Sequence, residues 1–103
     1  MKPTYDVFKA LADPKRRAIF EFLSRDGEQT ISPLTKFAGI SKQAVLKHLQ
    51  LLKLAGLLHV SEGFRPRYTA RCEGTAPLTD WLNAYGPATA GRGPANRPGG
   101  GET

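Results

Sequence analysis

A chain of 103 residues has room for one small hydrophobic core and not for a second. It offers no apolar run of the roughly 18 residues a membrane span needs, its opening MKPTYDVFKALADPKRR lacks a secretion signal's apolar stretch and cleavage site, and lone Cys72 allows neither an internal disulfide nor a Cys-x-x-Cys pair, so a cytosolic protein is expected. The whole net charge of +6 falls between Lys36 and Arg71, where Lys36, Lys42, Lys47, Lys53, Arg65, Arg67 and Arg71 face only Glu62, a footprint that suits nucleic acid first and an acidic protein or membrane surface second.

Tyr5, Phe8, Leu11 and Ala12 recur at helical spacing and predict a first helix over residues 4–12. Asp13-Pro14 pairs an N-cap with proline at the first helical position, opening a second helix that runs to about Arg25 and turns Ile19, Phe20, Phe22 and Leu23 inward. Its first turn carries Lys15, Arg16 and Arg17, the wrong sign for the helix dipole. Two readings stand for these cations: an outside anion such as a DNA phosphate, or ordinary surface charge. Asp26-Gly27 marks a turn. Ser32-Pro33 repeats the cap-plus-proline signature, with Leu34, Phe37 and Ala38 as a short apolar stripe and Gly39 as the stop.

The next helix, over residues 41–55, is the most informative stretch of the chain. Ser41 is a good N-cap and Gly56 a good terminator. At about 100° per residue, Val45, His48, Leu49, Leu51, Leu52 and Ala55 share one arc, while Lys42, Gln43, Leu46, Lys47, Gln50, Lys53 and Leu54 share the other. The polar arc has no carboxylate. Solvated helix faces mix charge signs because Glu–Lys pairs add stability, so a face of lysines and amides suits a polyanion. A short helix, a Gly-containing turn and this capped basic helix make a helix-turn-helix.

Residues 57–61 and 67–71 read as two short strands around the turn residues 62–66, a β-hairpin wing with a basic tip. Thr75 is a candidate cap for a last helix that places Leu78, Trp81, Leu82 and Tyr85 on one side. The expected fold is mainly α with a small β-hairpin, about five helices and a two-stranded wing. Residues 1–85 form the DNA-binding and dimerisation domain in this reading, and residues 86–103, rich in Gly and Pro, form a disordered tail.

Two motifs resemble one known family. Phe8-x-Ala10-Leu11-x-Asp13-Pro14-x-Arg16-Arg17-x-Ile19 is similar to the opening signature of ArsR-family winged-helix repressors. Ser41-x-x-Ala44-Val45-x-Lys47-His48-Leu49-x-x-Leu52-x-x-Ala55-Gly56-Leu57 is similar to the recognition helix of that family, and Leu78-x-x-Trp81-Leu82 to the last helix of its metal-free branch. The resemblance covers about residues 5 to 85 and implies a homodimer on operator DNA, with the first and last helices as its seam. It departs from metal-sensing members, since Ile31-Ser32-Pro33-Leu34 stands where they have a cysteine pair and the last helix has one carboxylate and no histidine. No metal and no other cofactor is expected.

The partners expected are double-stranded DNA and a second copy of the chain, with no membrane and an unknown effector. Gln43 and Leu46 are placed to meet base edges, glutamine through adenine and leucine through a thymine methyl. Arg16, Ser41, Lys42, Lys47, Gln50, Arg65 and Arg67 are the candidate phosphate or groove contacts. Tyr5, Phe8, Leu78, Trp81 and Tyr85 present more apolar surface than one thin domain covers and are the candidate dimer interface. His48, at the edge of the apolar arc, is expected to be packed and hydrogen-bonded. The alternative is a winged-helix protein-interaction module without DNA, which leaves the lysine face unexplained. An enzyme is not expected, because no nucleophile–base pair is visible.

Overall fold

The computed structural model describes residues 4–87. In chain order these form α1 (Val7–Ala12), α2 (Pro14–Asp26), α3 (Ile31–Ala38), α4 (Lys42–Leu54), β1 (Leu58–Val60), β2 (Tyr68–Ala70), a 3-10 turn (Cys72–Thr75) and α5 (Ala76–Tyr85). The expected mainly helical winged helix-turn-helix is what is found. The expected tail lies outside the described residues apart from Gly86 and Pro87.

Local chemistry sets most of the helix boundaries. Asp13 Oδ2 accepts from the Arg16 N–H at 2.8 Å, so the Asp13-Pro14 start of α2 is a true cap. Ser41 Oγ accepts from the Ala44 N–H at 3.1 Å and opens α4. Between α3 and α4 the chain reverses through Gly39 at φ 68, and α4 is followed by Gly56 at φ 81, a left-handed conformation that side chains with a Cβ resist.

Each strand is one residue shorter at both ends than expected, and three helix starts differ from the sequence-based expectation. Helix α1 starts at Val7 and not near Thr4, because Asp6 Oδ1 captures the Phe8 N–H at 2.8 Å. Helix α3 starts at Ile31, one position before the expected Ser32 cap; Thr30 is the extended residue, and Pro33 falls inside the first turn, where its missing N–H would be unpaired anyway. Thr75 does not cap α5. The chain enters that helix through the 3-10 turn, and the Thr75 hydroxyl donates to the Cys72 carbonyl at 2.7 Å instead of accepting from the helix.

The core is a single cluster in which Ile19 and Leu23 of α2, Leu34 of α3, Val45, Leu49 and Leu52 of α4, and Leu57 just before β1 are almost fully buried. Burying aliphatic side chains of this size contributes about 1.5–3 kcal/mol each. Phe37 departs from the expected inward stripe: it stays exposed, with its ring stacked on half-buried Phe22 at 4.3 Å between centroids. The two strands pair antiparallel with Val60 opposite Tyr68 and Leu58 opposite Ala70. Tyr68 is also clasped from its other side, by paired backbone bonds with Gln29 at 2.8 and 3.0 Å. The wing is therefore bolted to the α2–α3 connection as well as to α4.

Candidate nucleic-acid interface

The two arcs of α4 separate in space as the periodicity predicts. Val45, Leu49 and Leu52 are buried, while Lys42, Gln43, Leu46, Lys47, Gln50 and Lys53 are exposed, with Leu46 at 40 %. None of these exposed lysines has an acidic partner among the ion pairs of the described residues. The face is a donor surface with two apolar residues, Leu46 and Leu54, set into it. Ser41 stands at its N-terminal edge, exposed, with Oγ engaged in the cap and its own O–H still able to donate.

On the wing, Arg65 is exposed and enters no ion pair among the described residues. Arg67 does: its Nε lies 3.5 Å from Glu28 Oε1, with both side chains about half exposed. An exposed pair of this kind is worth about 0.2–1 kcal/mol, a weak hold that a phosphate could outbid. Arg71 is turned away, its guanidinium lying between Glu73 and the Gly56 carbonyl.

Arg16 is the candidate DNA-contacting residue that the structure places elsewhere. It is buried at 8 % exposure, and its guanidinium donates to the Ala10 carbonyl at 2.7 Å, the Lys9 carbonyl at 3.4 Å and His48 Nδ1 at 3.3 Å. Arg17 donates to the Leu11 carbonyl at 2.6 Å, and Lys15 to the Ala38 carbonyl at 2.7 Å. Lys9, Ala10 and Leu11 lie in the last turn of α1, and Ala38 ends α3. The cations that look misplaced at the start of α2 thus satisfy the carbonyl ends of two neighbouring helices, where positive charge is stabilising.

His48 is packed and hydrogen-bonded, as expected. A guanidinium has no lone pair to offer, so His48 Nδ1 is the acceptor and the ring proton sits on Nε2. Burial holds the imidazole below its usual protonation range; Asp13, with Oδ2 3.9 Å from Nδ1, pulls the other way, and Arg16, Lys15 and Lys47 reinforce the lowering. Asp13 itself is held more acidic than an ordinary carboxyl, chiefly by the Arg16 N–H it caps, with burial opposing.

The candidate dimer residues divide between core and surface, with Tyr5 half-buried against the core. Helices α1 and α5 lie against each other, Leu78 packs on the core, and Trp81 and Tyr85 tilt together at 5.4 Å while remaining 50 % and 74 % exposed. Phe8 is 42 % exposed, and Leu82 at 53 % joins the same apolar set, outside the seam expected from the sequence. Phe64, at the wing tip and expected only as a turn residue, is fully exposed. Its position between Gly63 and Arg65, a large apolar residue in a turn otherwise made of Gly, Pro and charged residues, is the signal that could have marked it. No group of three or more His, Cys, Asp or Glu side chains is gathered as a metal site among the described residues, and no helix among them is long and apolar enough to cross a membrane.

Known proteins share this arrangement. A family model described as a helix-turn-helix domain matches residues 11–61. The transcriptional repressor SdpR of Bacillus subtilis is 32% identical over 78 residues, covering 76% of this chain and 83% of that protein. An ArsR-like transcriptional regulator from Rhodococcus sp. RHA1 has a solved structure that is 33% identical, covers 78% of this chain and 76% of its own, and superposes with a TM-score of 0.67. The homodimeric winged helix-turn-helix DNA-binding domain of Mb0332 from Mycobacterium bovis is 30% identical over 76% of this chain and 72% of its own, with a TM-score of 0.61.

Proposed function

Since this chain belongs to the ArsR family of winged helix-turn-helix transcriptional regulators, DNA-binding proteins and not enzymes, we propose that it works in the cytoplasm as a homodimeric repressor on an inverted-repeat operator. Each protomer uses residues 1–85 for both tasks. Two copies of α4 enter successive major grooves, about 34–36 Å apart. Gln43 and Leu46 read base edges, while Ser41, Lys42, Lys47, Gln50, Arg65 and, once freed from Glu28, Arg67 hold phosphate or line the groove. Tyr5, Phe8, Leu78, Trp81 and Tyr85, joined by Leu82, make the seam.

One observation carries this reading: the exposed face of α4 holds lysines and amides with no carboxylate, beside a wing that adds Arg65. Repression follows the character of SdpR, and dimerisation the homodimer seen for the Mb0332 domain, both similar to this chain over most of its length. The exposed Trp81–Tyr85 pair supports the seam independently.

The test is selection of binding sites from a random duplex library, followed by mobility shift over a range of salt and sedimentation of the free protein. Recovery of an inverted repeat bound at submicromolar protein, with affinity falling steeply in salt, is the expected result. A protein that binds no duplex more tightly than competitor DNA would remove the operator reading, and a monomer at tens of micromolar would remove the seam.

A further inference from the structure

We propose that Phe64 is a minor-groove wedge, a DNA-contacting residue at the tip of the wing that presses its ring against, and partly between, base steps flanking the major groove entered by α4. This inference rests on the DNA-binding reading above and adds to it an interaction of a different chemical kind.

Phe64 stands apart from the other exposed aromatic and large apolar residues. Phe8, Phe37, Trp81, Leu82 and Tyr85 range from 41 % to 74 % exposed, so each keeps some cover from the chain, whereas Phe64 is 101 % exposed and has none. The tip is held at its base, and Gly63 at φ 131 turns the chain just before the ring. The Ser61 N–H donates to the Arg67 carbonyl at 2.9 Å and the Arg67 N–H donates to Ser61 Oγ at 3.0 Å, closing residues 62–66 at their base. Pro66 fixes its own φ and restricts Arg65 before it. Below that base the hairpin is anchored on both sides, by β1 against α4 and by the Gln29–Tyr68 bonds. A stiff stalk thus carries an aromatic ring at its apex, next to Arg65.

An aromatic apex beside a free cation matches a surface with anionic walls and an apolar floor within one side chain's reach. The minor groove has that make-up, with phosphates on either side and base edges and stacking faces below, and apolar wedges enter it by partly unstacking a step. Leu57 and Leu58, where the chain passes from α4 into the wing, are buried and β1 packs on α4, so the base of the hairpin is set against the helix that carries the lysine face. An anionic membrane surface is the competing occupant, and nothing else on this face is apolar enough to hold one except Leu46 and Leu54.

The experiment uses the full chain and a duplex recovered by selection, with 2-aminopurine placed in turn at positions flanking each half-site. Wild-type protein should raise the fluorescence at one step per half-site, reporting unstacking. Phe64→Ala should abolish that rise and weaken binding about tenfold per wing, a typical loss for one base–aromatic stack, while leaving the salt dependence unchanged. Phe64→Leu should keep part of both signals, and Arg65→Ala should flatten the salt dependence and keep the fluorescence. Because Phe64 touches nothing in the fold, its variants should unfold at the wild-type temperature. Phe64→Ala with wild-type affinity and wild-type fluorescence would overturn the wedge and leave the operator reading standing. Wild-type protein that binds no duplex would overturn both. Loss by Phe64→Ala of binding to anionic vesicles, with DNA binding intact, would overturn the wedge in favour of a lipid-facing role.

Discussion

The guanidinium of Arg16 and the imidazole of His48 meet at 3.3 Å, joining the start of α2 to the middle of α4. Because Arg16 also holds the Ala10 and Lys9 carbonyls, one side chain ties α1, α2 and α4 together. Such a residue fixes the position of α4 relative to α1 and α2.

Arg16→Ala should therefore be a stability variant. A hydrogen bond to a charged donor is worth about 1.5–3 kcal/mol, and the bond to Ala10 is buried, so urea unfolding should show a loss of at least that size. Arg16→Lys should not restore it, since an ammonium lacks the fork that reaches two carbonyls and a ring nitrogen. In mobility shifts the remaining folded protein should keep the wild-type salt slope. An Arg16→Ala protein as stable as wild type, with a flatter slope, would return Arg16 to the DNA surface.

Acidification should weaken the fold. Burial depresses the folded-state pKa of His48 below its ordinary 6.5, so below that pH the unfolded chain takes up a proton that the folded chain refuses, and stability falls as pH falls. Asp13, also depressed, adds its loss at lower pH, beneath the ordinary carboxyl range. Thermal melts between pH 7.5 and 5 should show this decline, and His48→Gln should shallow its upper part. Equal slopes for the two proteins would mean that His48 is not the group responsible.

On α4 the reading and holding positions should separate. Lys47→Ala should weaken specific and non-specific binding together and reduce the salt slope by roughly 0.9 for each phosphate that a subunit no longer neutralises. Gln43→Ala should lower discrimination by about 1–3 kcal/mol at one base pair of each half-site and leave the slope nearly intact. Titrations against operator and scrambled duplex decide this; identical behaviour of the two variants sinks the division of roles.

Glu28 is the acidic side chain that pairs with a wing arginine at the tip end of the hairpin. Glu28→Gln should release Arg67 and raise duplex affinity, with an effect of up to about 1 kcal/mol that fades at high salt. Glu28→Gln binding that is unchanged at low salt would show that Arg67 does not reach DNA.

Trp81→Ala should dissociate the dimer while sparing the protomer. Truncating a fully buried Trp costs about 3–5 kcal/mol, but Trp81 is half exposed in the single chain, so the loss of protomer stability should be well below that while self-association and operator affinity both fall. Sedimentation equilibrium beside thermal melts measures the two separately.

What can be read from the sequence is what the chain decides over three or four residues. Asp13 capping Arg16, Ser41 capping Ala44, and the glycines that end α3 and follow α4 all act between near neighbours, and the two arcs of α4 follow from helical periodicity alone. The basic patch and the wing are legible for the same reason. Long-range partners are not. Lys15, Arg16 and Arg17 look like misplaced charges because their acceptors, the carbonyl ends of α1 and α3, come within reach only when the helices pack. The same holds for the Gln29–Tyr68 pairing and for Glu28 beside Arg67, which join residues about forty positions apart. A carbonyl or carboxylate seen in sequence carries no sign of which cation will neutralise it; that choice is made in space, by the burial of Ile19, Leu34, Leu52 and Leu57 against one another.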